Sequence, residues 1–218
     1  MSSLSRLATL FGVCAAISFS SYSASEGLAA RDPDAAPVTR ELSWDGSESL
    51  TVEVPANVRF VQSAGPGKVV VTGPKRSVEG FTAQGGVLSD GRWHSGKTID
   101  VVVHAPRVTR FSLKGSDKLV VEDFDQAHLL IETVGRAEVR ATGRVGQLKL
   151  KLQGAGWVDL SGLKASEADV TVTGSRHALL AASDRARISG NGSVVLVTRP
   201  KTLDLDLGES GRVFTLGE

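Results

Sequence analysis

The chain has 218 residues, 41% hydrophobic, 22% charged and 5% aromatic, with 25 Lys+Arg against 24 Asp+Glu. That length suits one domain, or two small ones, with enough apolar residues for a continuous core. A formal charge of +1 leaves no electrostatic footprint for nucleic acid or an acidic membrane surface. Ordinary apolar content and a single Cys exclude a disordered chain and a disulfide scaffold.

Residues 1–23 read as a secretory signal. Arg6 supplies the positive n-region, and Leu7 to Phe19 forms an apolar stretch too short to span a bilayer. Ser21-Tyr22-Ser23 places cleavage after Ser23. Cys14 lies inside the apolar stretch rather than after it, a poor match to a lipidation signal. Removal takes away Arg6, Met1, Cys14 and Tyr22, so the mature chain has no Cys for disulfides or thiol catalysis. No second apolar run is long enough to anchor it by a helix. Residues 24–37, small, polar and Pro-containing, read as a linker, and 38–218 as a single domain.

From Val38 onward short β-branched or Leu-rich runs alternate with Gly, Asn, Asp and Ser. SLTVEV (49–54), KVVVTG (68–73), TIDVVVHA (98–105), QLKLKLQG (147–154) and TLDLDLG (202–208) are examples. Such alternation predicts half-buried strands, with helical spacing only near Ser77 to Phe81. A repeat then sets the architecture. Gly115, Gly135, Gly154, Gly174 and Gly190 are each followed four residues later by an apolar residue: Leu119, Val139, Val158, Ala178 and Val194. A sixth copy at Gly208 ends on Val213 with one extra residue, and the glycine spacings are 20, 19, 20, 16 and 18. A unit of this length cannot bury its apolar face alone. It fits coils stacked as a parallel β-helix or a meander of hairpins closing a sandwich. The β-helix is favoured, because the hairpin-type turn pairs Asp45-Gly46 and Asp90-Gly91 precede the repeats, where they could form local hairpins, and within the repeats Asn191-Gly192 is the only one.

With the Gly+4 residues in register, the inward column eight positions earlier reads Phe111, Ile131, Leu150, Val170, Ala186 and Leu205. The flanking outward columns then oppose Lys149/Asp169, Asp169/Arg185, Arg185/Asp204, Glu132/Lys151 and Arg187/Asp206. All five pairs are of opposite sign, as rungs about 4.8 Å apart require. Exposed pairs contribute only ~0.2–1 kcal/mol each, so the inner Leu, Ile and Val columns hold the fold.

SLTVEVPANVRFVQ, KVVVTGP with GVLSDGR, TIDVVVHAPRVTRFSLKGSDKLVVE and the Gly-centred run ending in SGNGSVVLVT together resemble the auto-transporter adhesin head GIN domain family, over residues 40–216. The resemblance implies a parallel β-helix exported to the periplasm or cell surface. The family's Ser-Gly-Ser-Gly core is here Thr-Val-Gly-Arg, Gln-Gly-Ala-Gly and Thr-Gly-Ser-Arg. The fold therefore carries over better than any shared surface, and no binding residues transfer.

Chemistry is sparse. His94, His104, His128 and His177 show no metal-binding spacing. Glu122-Asp123-Phe124-Asp125 is the densest acidic cluster and reads first as a solvated turn, with a Ca²⁺ loop or an acid/base pair as alternatives. Asp204 and Asp206 share a strand face but are accounted for opposite Arg185 and Arg187. SAGPGK (63–68) lacks the pattern of a phosphate loop, since Lys68 runs into a strand. Trp44 is expected to cap the open end of the core, and Trp157 to point outward. Trp93, in a Gly-rich turn, is the best single candidate for stacking on a sugar or partner.

No catalytic residue, metal ligand or cofactor site is assigned. The expectation is an exported, non-catalytic envelope module with a structural or adhesin-like binding role, its partner an envelope polysaccharide or another envelope protein. A carbohydrate-active enzyme on the same scaffold, or an envelope-stress sensor, is the alternative. The enzyme would need three charged residues from different coils converging in one groove, and only the Asp123/Asp125 loop could seed it. No barrel, sortase signal or anchor follows Glu218, which favours a periplasmic or released protein. Oligomeric state is open, because the last rung, Val213 to Leu216, must be covered by the chain itself or by another subunit.

Overall fold

A computed structural model describes residues 36–90, 98–115, 117–174 and 176–216. Residues 1–23, expected to be a signal, and most of the expected linker lie outside them, as do Trp93 and His94. In chain order the strands are β1 (Val38–Ser43), β2 (Ser49–Val52), β3 (Ala56–Gln62) and β4 (Lys68–Gly73). The short helix α1 (Lys75–Gly80) follows, then β5 (Phe81–Gln84), β6 (Val87–Asp90), β7 (Ile99–Ala105) and β8 (Arg110–Gly115). Four long strands come next: β9 (Lys118–Gly135), β10 (Glu138–Gly154), β11 (Gly156–Thr173) and β12 (Arg176–Gly190). The chain closes with β13 (Ser193–Leu196), β14 (Thr202–Leu207) and β15 (Arg212–Thr215).

The result is a β-solenoid of about five turns. From β9 to β12 each coil is one long strand bent around the core and interrupted at the repeat glycine, and neighbouring coils run parallel. The five Gly+4 residues and Val213 stack in a single column: Leu119, Val139, Val158, Ala178, Val194 and Val213. The first five are buried. At the corner, a Cβ on Gly135 would lie 2.6 Å from the Gly115 carbonyl oxygen, and one on Gly154 2.7 Å from that of Gly135. The chain can therefore turn here at rung spacing only without a side chain.

The second column corrects the expected register. Phe111, Ile131, Leu150 and Val170 stack as the spacing requires, but the next member is Ile188 rather than Ala186. Ala186 stands on Ala168, and Leu205 stands on Ile188. The cause is a shorter glycine corner: four residues, 173–176, separate Val172 from His177, but only Asn191 and Gly192 separate Gly190 from Ser193, so Gly190 faces Val172 rather than Gly174. A second shortening lies at the preceding corner, where Ser161, Gly162 and Leu163 have no counterpart in β12, whose Leu180 and Ala181 face Leu160 and Lys164. An irregularity past Ala165 returns one residue, so that corner too removes a net two. An even slip keeps every side chain on its face, so sign alternation survives with changed partners. Glu132/Lys151 and Lys149/Asp169 pair at 2.8 and 3.8 Å as expected. Asp169 faces Arg187 instead of Arg185, and Arg187 faces Asp204 instead of Asp206. Arg185 faces Thr202 and reaches Asp204 only diagonally, at 4.0 Å.

The N-terminal end departs from the parallel pattern. β1 pairs antiparallel with β4, β4 with β7, and β5 with β6. The β5–β6 turn uses Gly85-Gly86, while Asp45-Gly46 joins β1 to β2 without pairing them. α1 begins two residues earlier than its spacing implied, and Arg40 Nη1 donates to the carbonyls of Val78, Glu79 and Phe81 at its C-terminal end. Trp44, Val78 and Phe81 are buried, so the core is covered at this end.

Candidate functional site

The wall that follows the first leg of each coil carries the chain's charged groove. Bulges after Arg140 and Ala141 shift the coil offsets, and this brings Asp125, Arg144 and Lys164 from three successive coils into one row. Arg144 Nη2 lies 2.9 Å from Asp125 Oδ2, and Lys164 comes next in register. The Gln62 side chain holds the Asp125 backbone, accepting from its N–H at 3.0 Å and donating to its carbonyl at 3.3 Å.

Beside this row the floor falls away. Val145, Ala165 and Ala182 stack along it, so the side chains shrink where β12 has lost its corner residues. The hollow has a volume of about 560 Å³, with Ser166, Ser183 and Thr198 adding hydroxyls. Thr198 Oγ1 donates to the Ala182 carbonyl at 2.9 Å, and Lys201 Nζ pairs with Asp184 at 2.7 Å nearby. That pair is fully exposed, and each partner's hydrogen bond to the other lowers the Asp184 pKa and raises that of Lys201. Among the described residues Lys164 has no anionic partner, although it neighbours Arg144. Two cations answered by one close carboxylate attract an anionic group.

The other sequence candidates separate. Glu122 pairs with Arg59 at 3.8 Å, Asp123 takes a positive φ of 51°, and Phe124 between them and Asp125 is buried. Among the described residues no three His, Cys, Asp or Glu side chains are grouped to hold a metal. Lys68 pairs with Glu41 at 3.3 Å at the start of β4. Trp44 is buried, and its Nε1 donates to the Ser47 carbonyl at 3.1 Å. Trp157 points outward, 47% exposed, beside Glu138 and His177 on adjacent rungs.

A second groove, about 790 Å³, lies along the wall next to the glycine corner and includes Lys114, Glu132, Lys151 and Gln153. Its lysines are already matched, Lys114 to Glu53 at 3.0 Å and Lys151 to Glu132 at 2.8 Å. The first groove is therefore the stronger candidate.

One buried acid was not foreseen. Asp117 is 3% exposed, and among the described residues its Oδ2 has no hydrogen-bond partner. Burial pushes the carboxyl up to about 6, against one lowering hydrogen bond from the Ala56 backbone. The folded protein thus favours the protonated form. Its contribution is full below the unfolded value of 3.8 and is lost as pH rises through about 6. Asp117→Asn is expected to remove that loss, becoming more stable than the wild type by about 2–3 kcal/mol at pH 7.5 relative to their difference at pH 4. Urea unfolding of both proteins at the two pH values measures it.

No curated protein matches the sequence. Among solved structures, a "putative adhesin" from Bacteroides fragilis shares 16% identity, covering 84% of this chain and 98% of its own, with a TM-score of 0.54. That likeness shows the shared fold. A "putative lipid binding protein" from Parabacteroides distasonis (12% identity, 85% and 96% covered, TM-score 0.45) overlays more loosely. So does a "putative adhesin" from the same species (14%, 84% and 98%, TM-score 0.46). The family model described as "Putative auto-transporter adhesin, head GIN domain" matches residues 47–200, and with the solenoid in place the chain belongs to that family.

Proposed function

We propose that this protein is an exported, non-catalytic binding module of the bacterial envelope that holds an extended anionic partner along its solenoid wall. The supporting observation is the row Asp125–Arg144–Lys164, drawn from three coils into one hollow. A rigid wall with rungs every ~4.8 Å presents such groups without ordering cost on binding. The adhesin naming of the family agrees with an envelope or surface location. The charged n-region and apolar stretch of residues 1–23 support export, and a periplasmic or released protein is the finer reading.

The same convergence favours a second reading, a carbohydrate-active enzyme on this scaffold. Two features count against it. Among the described residues Asp125 is the one carboxylate lining the hollow, and Arg144 engages it at 2.9 Å. A glycosidase-type mechanism uses two carboxyl groups flanking the bond.

Lys164→Glu decides whether the groove binds. Affinity for anionic envelope polysaccharides on a glycan array is expected to fall at least about tenfold, with neutral glycans unaffected. Unchanged binding would remove the groove from the proposal. Shortening of the polysaccharide during incubation, abolished by Asp125→Asn, would establish the enzyme instead.

A further inference from the structure

The two ends of the solenoid differ. At the N-terminal end α1 and antiparallel strands leave Trp44, Val78 and Phe81 buried. At the other end β14 pairs with β12 alone and β15 with β13 alone. Side chains on the inner columns lose their cover there. Leu205 is 49% exposed although Ile188 beneath it is buried, and Leu203 is 39% exposed above buried Ala186. Phe214 and Leu216 add outward apolar surface at 53% and 58% exposure. Such an unpaired apolar rung is a template for another strand.

We propose that a second copy of this chain covers the rung, tail to tail about a two-fold axis, with β14 of each copy antiparallel to β15 of the other. A two-fold perpendicular to the solenoid axis reverses strand direction, so the new pairs must be antiparallel. It also closes after two copies, whereas head-to-tail stacking would continue into a filament. Charge selects the pairing. Laying β14 on β14 with leucines opposite leucines sets aspartates against aspartates, since Asp204 and Asp206 alternate with Leu203, Leu205 and Leu207. Crossing β14 onto β15 instead brings Asp206 to Arg212 of the partner subunit and Leu205 to Val213 of the partner subunit. Among the described residues neither Asp206 nor Arg212 has an ion-pair partner in its own chain, whereas Asp204 already lies 3.9 Å from Arg187.

Sedimentation velocity on the full chain, from about 1 to 100 µM, is expected to give a dimer that dissociates on dilution. Arg212→Glu should raise the dissociation constant at least about tenfold, as should Asp206→Arg, and the double swap should return it to within about threefold of wild type. Both residues are exposed on the last rung, and far-UV circular dichroism checks that the variants fold. On the unmodified chain, hydrogen exchange of the β14 and β15 amides should slow as concentration rises. A monomer at every concentration, or a dimer indifferent to both charge reversals, overturns the proposal.

Discussion

Gly135→Ala is expected to lower the melting temperature by about 10 °C or more, with Gly154→Ala close behind. Two costs add. Gly135 has a φ of 104°, and Gly154 the same, where a side chain strains the backbone by about 1–3 kcal/mol. The new Cβ would also sit 2.6 Å from the Gly115 carbonyl oxygen, which is backbone and cannot rotate aside. Relief requires the rungs to part, and parting them weakens the Leu119–Val139–Val158 column that packs beside the corner. Gly65 is the control, with no atom within 4 Å of its Cβ position and no positive φ. Gly65→Ala should leave the transition within about 2 °C, as surface substitutions do. Differential scanning fluorimetry on the three variants separates a corner that must be bare from ordinary turn glycines.

That corner was readable in the sequence because the repeat glycine and its apolar follower lie within one short turn. The followers all stack, and so do Gly115, Gly135, Gly154 and Gly174, whereas Gly190 faces Val172 two residues short of Gly174. One shortened corner hid more. The step from Gly190 to Ser193 is two residues shorter than the facing step from Val172 to His177. Counting back from Val194 therefore lands on Ala186, two residues from the true neighbour of Val170. Sign alternation could not expose the slip, because an even shift preserves faces and both Arg185 and Arg187 are cations. The groove was illegible for a related reason. A one-residue bulge changes parity, so the front-wall offset between β10 and β11 is Val139 to Val158, but Arg144 to Lys164 on the groove wall. Only coordinates align Asp125, Arg144 and Lys164. Asp117 was a missed signal rather than a hidden one. It stands two residues before Leu119 and so shares its inward phase, yet an aspartate after a glycine reads as a turn.

Ile188→Asp is expected to cost about 4 kcal/mol or more and to leave little folded protein at 37 °C. Ile188 is 1% exposed between Val170 and Leu205, and nothing cationic shares that column. An ionised carboxylate there has no partner, and a protonated one still loses the transfer energy of the isoleucine, about 1.5–3 kcal/mol. Leu205→Asp belongs to the same column yet should cost only about 1 kcal/mol in the isolated protomer, since Leu205 is already half exposed. Lys151→Asp, outward and 52% exposed, loses an ion pair to Glu132 and faces it with a like charge, for a cost of about 1 kcal/mol or less. The order Ile188, then Leu205 and Lys151 together, is measured by urea unfolding at micromolar concentration, low enough to keep protomers apart. A harmless Ile188→Asp would contradict the stacked column from which every other position in the solenoid is counted. A Leu205→Asp variant as damaged as Ile188→Asp under dilution would mean that the last rung is covered within the protomer, and the surface offered to a second copy would not exist.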